Sequence, residues 1–347
     1  MEFYSLQITH LNKETQNSIS IAFKVPIELQ EQFKFSAGQY VTLRAIINGK
    51  EIRRDYSLCS TPNSGIHKVV VKRVENGVFS EFANSNLRIG DFIEVSKPNG
   101  RFVFHPSQNI QRKIVTFAAG SGITPVMSIL KTILEDEPTS SVSLVYGNKT
   151  PNDTIFLQEI LALSKQFNNR FNLKLIYSQS SEEGALFGRI DHSIVSQNIN
   201  TNGLADLYYI CGPEAMINLV SETLVEKGIS EDAIKYELFT VPLNKEEQEI
   251  VAVEGQSSVT VLVDDEETSF MMSQTKTILE AALENKVDAP YSCQGGICSS
   301  CIARLTEGEA TMRQNNILTE GELAEGLILT CQAQPTTPNI SIDYDDV

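Results

Sequence analysis

Cys293, Cys298 and Cys301 fall within PYSCQGGICSSCIARL, and Cys331 closes GLILTC. The spacing C-x4-C-x2-C, followed a long loop later by one more Cys, is the pattern with which four thiolates hold a plant-type [2Fe–2S] cluster. Gly295 and Gly296 lie inside that loop. The loop must wrap the cluster closely and aim N–H groups at its sulfurs, an approach that a Cβ would obstruct. Zinc is the competing occupant, but zinc sites favour paired C-x2-C knuckles and only one such pair is present. The residues therefore predict a [2Fe–2S] cluster and electron transfer.

Other residues point to nucleotides. AAGSGITP holds Gly120, Ser121, Gly122, Thr124 and Pro125 after an expected strand and at the start of an expected helix. Its glycines would let the backbone approach a diphosphate at a helix N-terminus, where free N–H groups and the dipole favour anions, and Pro125 suits a first helical turn. The third glycine of the dinucleotide fingerprint is missing, so a plain tight turn is the alternative. In RRDYSLCS, Arg54, Tyr56 and Ser57 offer a phosphate partner, a ring to stack and a hydroxyl for a ring nitrogen. Gly77, Val78, Phe79 and Ser80 begin a short helix and give a second phosphate-binding N-terminus. Each alone could be an ordinary strand or cap; together they predict a flavin site. YICGPEAM ends a strand at Cys211, Gly212 and Pro213, where a parallel sheet opens to ligand, and Cys211 is otherwise a buried structural thiol. KYELF adds Glu237 and Phe239 at the next strand edge.

These residues need elements to position them. IAFKV, QYVTLRAII, RDYSLCS, HKVVVKRV and DFIEVSKP read as short strands between turn signals, with one helix around Phe79–Asn84. They predict a small antiparallel barrel over 1–107. From there RKIVTFAAG, SVSLVYGN, FNLKLIYSQ, DLYYICGP and a closing strand at KYELFT frame helices through PVMSILKTILEDE, DTIFLQEILALSKQF and EAMINLVSETLVEKG. Strands alternating with helices predict a parallel sheet, over 108–242. The charged stretch at 243–256 reads as a linker. In 257–347 follow SVTVLV, TSFMMS, a helix in TILEAALENK, the cysteine loop and two later strands.

In this order RDYS, GVFS, AAGSGITP, YICGP, ELF and the terminal C-x4-C-x2-C…C resemble the ferredoxin–NADP⁺ reductase superfamily with a fused ferredoxin module, over essentially the whole chain. The resemblance implies a flavin β-barrel, an α/β NAD(P)-binding domain and an α+β (β-grasp) ferredoxin domain. It implies FAD rather than FMN, with Tyr56 against the isoalloxazine, Ser57 near its N5, Arg54 holding the flavin and Gly77 to Ser80 on its pyrophosphate. Gly120 to Pro125 would hold the nicotinamide nucleotide, with Cys211, Gly212 and Pro213 near the nicotinamide. Glu237 and Phe239 would border the flavin, and Ser57, Cys211 and Glu237 would form the catalytic set. One departure concerns the 2′-phosphate of NADPH. The family's Ser-Arg pair is replaced by Ser178-Gln179, and the Lys and Tyr that follow in the family are missing. Lys149 and Arg189 offer positive charge instead. The expected donor is NADPH, with NADH as the alternative. The implied acceptor is the di-iron component of an oxygenase acting on an aryl-CoA; a desaturase, another hydroxylase or a free ferredoxin are alternatives.

Charge and length set the bounds. At 347 residues the chain suggests two or three domains. No apolar run approaches the roughly 20 residues of a membrane helix, and the polar N-terminus does not read as a secretory signal. Net charge is −16. From Gln256 to Val347 there are 4 basic and 15 acidic residues, so that segment carries −11 and the rest −5. Nucleic acid is excluded as a partner because phosphate binding needs the opposite sign. The acidic segment reads either as a docking face for a basic partner or as a solubility device. Cys59 and Cys211 need not pair, and a reduced, cytoplasmic setting follows. His10, His67, His105 and His192 are scattered and form no metal spacing.

Overall fold

Leu6 and Ile8 face inward from a first strand, β1 (Phe3–Thr15), that sequence reading passed over as mixed and polar. The computed structural model describes residues 1–239 and 255–347. The strand continues into β2 (Ser18–Lys24), β3 (Tyr40–Ile47), β4 (Lys50–Ser57), β5 (His67–Lys72), the helix α1 (Val78–Ser85) and β6 (Phe92–Ser96). The order is β4-β3-β6-β1-β2-β5, antiparallel throughout. Its two edge strands approach each other where Leu58 bridges Val69 and Cys59 N–H donates to Lys68 O at 2.8 Å. The expected barrel is present, closed round Leu6, Ile21, Phe33, Leu43, Val71 and Phe79.

The second sheet is built from β7 (Lys113–Ala119), β8 (Ser141–Asn148), β9 (Phe171–Tyr177), β10 (Leu186–Phe187), β11 (Leu207–Gly212) and β12 (Ile234–Leu238). Between them run α2 (Ile123–Asp136), α3 (Leu157–Gln166), α4 (His192–Asn202) and α5 (Glu214–Glu226). All its pairings are parallel, in the order β10-β9-β8-β7-β11-β12. Strands added on one side of β7 and then on the other create a switch point between β7 and β11, where ligands of such sheets bind. α2 is apolar on nearly every side because it is buried nearly all round. The helix expected from Asp153 begins instead at Leu157. Thr150 Oγ1 donates to Asp153 Oδ2 at 2.7 Å in a preceding 3₁₀ turn, and Ile155 and Phe156 are spent on the core. Helix α4 was not foreseen; it is mostly polar, burying only Ile194, Val195 and Ile199 among its apolar residues, and Asp191 caps it by accepting the Ile194 N–H at 2.9 Å.

One compact unit spans Phe3–Phe239, so the barrel and the parallel sheet belong together, and the C-terminal sheet lies in another. The expected linker at 243–256 lies outside the described residues except for its last two positions. The C-terminal sheet holds β13 (Gln256–Val263), β14 (Glu266–Ser273), the helix α6 (Ile278–Glu284), β15 (Ile302–Glu307), β16 (Ala310–Met312), the helix α7 (Glu320–Ala324), β17 (Leu327–Leu329), β18 (Ala333–Pro335) and β19 (Asn339–Asp343). Five strands rather than two follow the cysteine loop; three of them are only three residues long, too short for an alternation to register. The main order is β14-β13-β19-β15-β17, with β13 and β19 parallel and the other pairs antiparallel, and α6 packs into its core in the α+β arrangement expected. A reciprocal capping box of Thr277 and Glu280 starts α6. Among the described residues no helix is long and apolar enough to cross a membrane.

Candidate functional site

Arg54, Tyr56 and Ser57 end β4, with Arg54 exposed, Tyr56 half-buried and Ser57 buried. The Tyr56 ring lies 5.6 Å from that of Phe79, tilted by 36°. Burial raises its phenol pKa, with Arg54 opposing. A Cβ on Gly77 would stand 2.5 Å from Ser80 Oγ and 3.0 Å from Val74 O, so the turn into α1 needs glycine. The Ser80 hydroxyl accepts from Val74 N–H and donates to Gly77 O, each at 3.0 Å, and Phe79 is core. The Ser80 side chain therefore shapes the turn and that of Phe79 fills the core. What remains for a phosphate is backbone, since no side chain caps α1 and first-turn N–H groups with the dipole favour an anion. A ring partner, an exposed guanidinium and an uncapped helix start together fit FAD.

The nucleotide expectation falls on the carboxyl edge of the parallel sheet. Gly120 has φ +55°, and Tyr146 Oη donates to its carbonyl at 3.0 Å. A Cβ on Gly122 would lie 2.0 Å from Cys211 O. The turn before α2 thus presses directly on β11, across the switch point. Thr124 is buried and donates to Ser121 O at 3.0 Å, and Pro125 is buried in the first turn of α2, so neither side chain is free for a ligand. Pro213 stands at the N-terminus of α5 after Gly212, and no side chain caps that helix. Close backbone approach and uncapped amides are what a dinucleotide requires.

Three residues from distant parts of the chain meet beside that turn. Cys211 and Glu237 are register partners in β11 and β12, and Ser57 Oγ donates to Glu237 Oε2 at 3.3 Å. Protein packed around the Glu237 carboxyl raises it to about 8; the Ser57 hydrogen bond opposes and Asp55 adds to the rise. Burial, and then Glu237, push the Cys211 thiol up, so Cys211 is a neutral thiol. Phe239 follows β12 and packs, half-buried, on the central core.

At the far end of the same edge, Ser178 N–H donates to Asn148 O at 3.0 Å and Gln179 N–H to Lys149 O at 2.9 Å. Lys149 and Ser178 are therefore brought together, with Lys149 exposed. Arg189, also exposed, follows β10 one strand further out. Sequence reading missed Lys72. It ends β5, yet its ammonium lies 3.3 Å from where a Cβ on Gly120 would stand. Desolvation lowers its pKa, with Asp153 opposing. Nothing in HKVVVKRV distinguishes it from an ordinary strand lysine.

In the C-terminal sheet the four predicted thiols converge in two pairs within hydrogen-bond reach, Cys293 with Cys298 and Cys301 with Cys331. Two such thiolate pairs supply the four ligands a two-iron cluster needs. Gly295 N–H donates to Cys293 Sγ at 3.3 Å, an amide aimed at sulfur as expected. The Cys298 hydrogen bond and loop amides hold Cys293 down at about 6. Gly296 has φ +70°, and a Cβ there would meet Gln332 Cγ at 3.0 Å. The loop fits the cluster.

Comparison with known proteins agrees with this layout. The family described as oxidoreductase FAD-binding domain matches residues 5–104, oxidoreductase NAD-binding domain matches 117–222, and 2Fe-2S iron-sulfur cluster binding domain matches 261–336. The chain is 36% identical to a component of the 1,2-phenylacetyl-CoA epoxidase of Escherichia coli (strain K12), covering 99% of this chain and 98% of that protein. It is 30% identical to the ferredoxin reductase component of 3-ketosteroid-9-alpha-monooxygenase from Rhodococcus rhodochrous, over 98% and 96%. Among solved structures, phthalate dioxygenase reductase is similar with a TM-score of 0.63 and 25% identity, over 98% of both chains.

Proposed function

Because the chain belongs to the family of FAD-, NAD- and [2Fe–2S]-binding reductase components of oxygenase systems, we propose specific roles for its residues in that activity. The protein takes electrons from a pyridine nucleotide and passes them through FAD and a [2Fe–2S] cluster to an oxygenase partner. When bound, FAD accepts two electrons together and releases them singly, and the cluster carries one at a time, at a potential on the order of −400 mV for plant-type centres.

The observation that carries the reading is the meeting of Ser57, Cys211 and Glu237 beside the Gly120–Gly122 turn. Ser57 presents a hydroxyl whose orientation Glu237 fixes, at the place where flavin and nicotinamide would face each other. Cys211, kept neutral, lines that place without adding charge. Tyr56 offers a ring face, Arg54 neutralises flavin phosphate, and the amides of Val78 to Ser80 bind the pyrophosphate. The turn from Gly120 to Pro125 binds the nicotinamide nucleotide through the N–H groups that precede the proline, with Lys72 beside Gly120 as a further cation, and Gly212, Pro213 and Phe239 complete the walls. Cys293, Cys298, Cys301 and Cys331 ligate the cluster.

The donor we propose is NADPH, with Lys149, Ser178 and Arg189 receiving its 2′-phosphate; two exposed cations at that strand edge support the choice. The acceptor we propose is an aryl-CoA oxygenase like the one the 36%-identical relative serves, a di-iron enzyme by the resemblance drawn from sequence. The domains we propose are 1–107, 108–242 and 257–347, joined by 243–256; the gap between β6 and β7 supports the first boundary. With four cysteines given to the cluster, Cys59 and Cys211 remain as buried unpaired thiols, which favours a cytoplasmic setting. The test is direct: purified protein should contain FAD, two irons and two sulfides per chain, and should bleach anaerobically with NADPH. Protein lacking flavin, or unbleached by NADPH and NADH alike, would overturn the reading.

A further inference from the structure

The segment around Tyr344 reaches back to Thr330, beside the fourth cysteine. Tyr344 is 6% exposed, and its hydroxyl donates to Thr330 Oγ1 at 2.8 Å. The Thr330 hydroxyl in turn donates to Cys301 O at 3.0 Å, and Thr330 N–H donates to the same carbonyl at 3.1 Å. Thr330 is fully buried and immediately precedes Cys331. One residue therefore grips Cys301 through two hydrogen bonds while carrying Cys331 as its neighbour. The Thr330 carbonyl is fixed from the other side by Leu279 N–H of α6 at 3.0 Å.

Tyr344 is itself held from several directions. Its N–H donates to Leu262 O at 3.0 Å. The next residue, Asp345, accepts the N–H groups of Asp264 and Asp265 at 2.9 Å each, and these form a left-handed turn with φ +52° and +62°. Asp343 Oδ1 accepts Asp345 N–H at 2.8 Å. The segment IDYDDV is thus knitted into the fold on both sides of the tyrosine.

A tyrosine hydroxyl buried in an apolar core needs a partner, and a threonine hydroxyl has three staggered rotamers to choose from. Each satisfies the other here, and only one Thr330 rotamer both accepts from Tyr344 and donates to Cys301. We propose that Tyr344 is a positioning residue for the iron–sulfur cluster: it locks the Thr330 rotamer that ties Cys301 to Cys331 and so fixes the spacing of that ligand pair. This rests on the reading of the four cysteines as cluster ligands. Hydrogen bonds around the ligands are among the levers that set a cluster's persistence and potential.

The test uses the full-length holoprotein. Tyr344→Phe removes one oxygen and keeps the ring; Thr330→Val keeps the shape of Thr330 without its hydroxyl; Thr330→Ser keeps the hydroxyl. Cluster loss to excess EDTA is followed by visible circular dichroism, and the midpoint potential by EPR-monitored titration. Tyr344→Phe and Thr330→Val should each bleach about two- to tenfold faster than wild type, the range expected for one buried hydrogen bond, with a displaced potential. Thr330→Ser should behave like wild type. The double variant should be no worse than Thr330→Val alone, because both changes break one chain. Wild-type bleaching and potential in Tyr344→Phe, a Thr330→Ser as labile as Thr330→Val, or additive effects would each overturn the proposal. Iron and sulfide analysis of the wild type separates this failure from failure of the cluster reading itself.

Discussion

Ser57 and Glu237 stand 180 positions apart in the chain, yet the Ser57 hydroxyl donates to Glu237 Oε2 at 3.3 Å. The bond joins the last residue of a barrel strand to the last strand of the parallel sheet. It is one of several ties across the same junction. Ser128 Oγ donates to Ser60 O at 2.6 Å, and Tyr209 Oη to Val103 O at 2.9 Å. Phe102 and Phe104 from the barrel side lie in one core with Ile123, Leu130 and Tyr146. Packing thereby fixes how the barrel and the parallel sheet sit against each other.

Ser57→Ala should slow flavin reduction by NADPH about ten- to a hundredfold, the range for loss of one well-placed hydrogen bond near a reacting centre, with FAD content unchanged. Anaerobic stopped flow at saturating NADPH measures it, and an unchanged rate would remove Ser57 from the catalytic set.

Glu237 should impose a pH dependence on stability. Its folded pKa of about 8 is above its ordinary value of 4.5, so between those values the folded state binds more protons than the unfolded one. Stability should therefore fall as pH rises through that window and level off above about 8. Glu237→Gln should flatten the fall, giving its largest gain in Tm at alkaline pH. Parallel Tm curves for the two proteins from pH 5 to 9 would contradict the raised carboxyl.

Cys298→Ser should abolish the cluster and leave FAD bound, because the cysteine loop and the flavin site lie in separate compact units. The variant should still reduce ferricyanide with NADPH but fail to reduce cytochrome c or an oxygenase. Loss of flavin together with iron would show that the two units do not fold independently.

Lys149→Ala and Arg189→Ala should each narrow the preference for NADPH over NADH by about tenfold or more, since a charge-assisted contact to phosphate contributes ~1.5–3 kcal/mol. The ratio of kcat/KM for the two donors decides it; a wild-type preference for NADH would sink it.

Electron delivery to the oxygenase should slow as salt rises, while reduction of flavin by NADPH changes less. The cluster-bearing segment carries −11, and Asp264, Asp265, Glu266, Glu267, Asp345 and Asp346 are exposed. Such charges steer association, with a range of roughly 8 Å at physiological ionic strength. Acceptor reduction that stays flat across a salt series would reduce the acidic face to a solubility device.

Residues whose chemistry imposes local spacing were legible in the sequence. The four cysteines, the Gly77 and Gly122 turns and the strand-end segment Cys211–Pro213 all occupy the positions their patterns implied, because each is constrained by its neighbours in the chain. Long-range relations were not legible. Nothing near Lys72 marks its approach to Gly120, and nothing in IDYDDV marks Tyr344 as the partner of Thr330. Patterns placed the two helix starts but did not show where their side chains go: Phe79 packs in the core, and the Ser80 and Thr124 hydroxyls bond within their own turns. Polar α4 and the three-residue strands fell below any periodic signal.

The 2.0 Å between a would-be Cβ at position 122 and Cys211 O has a consequence for mutational libraries aimed at this protein. The obstacle is a backbone carbonyl in a central strand, so no rotamer change at position 211 would make room. Position 122 is thus closed to variation, whereas exposed Lys149 and Arg189 stand on the rim of the same sheet with space around them. A selection for altered coenzyme use should enrich changes on that rim and return glycine at 122 in every survivor.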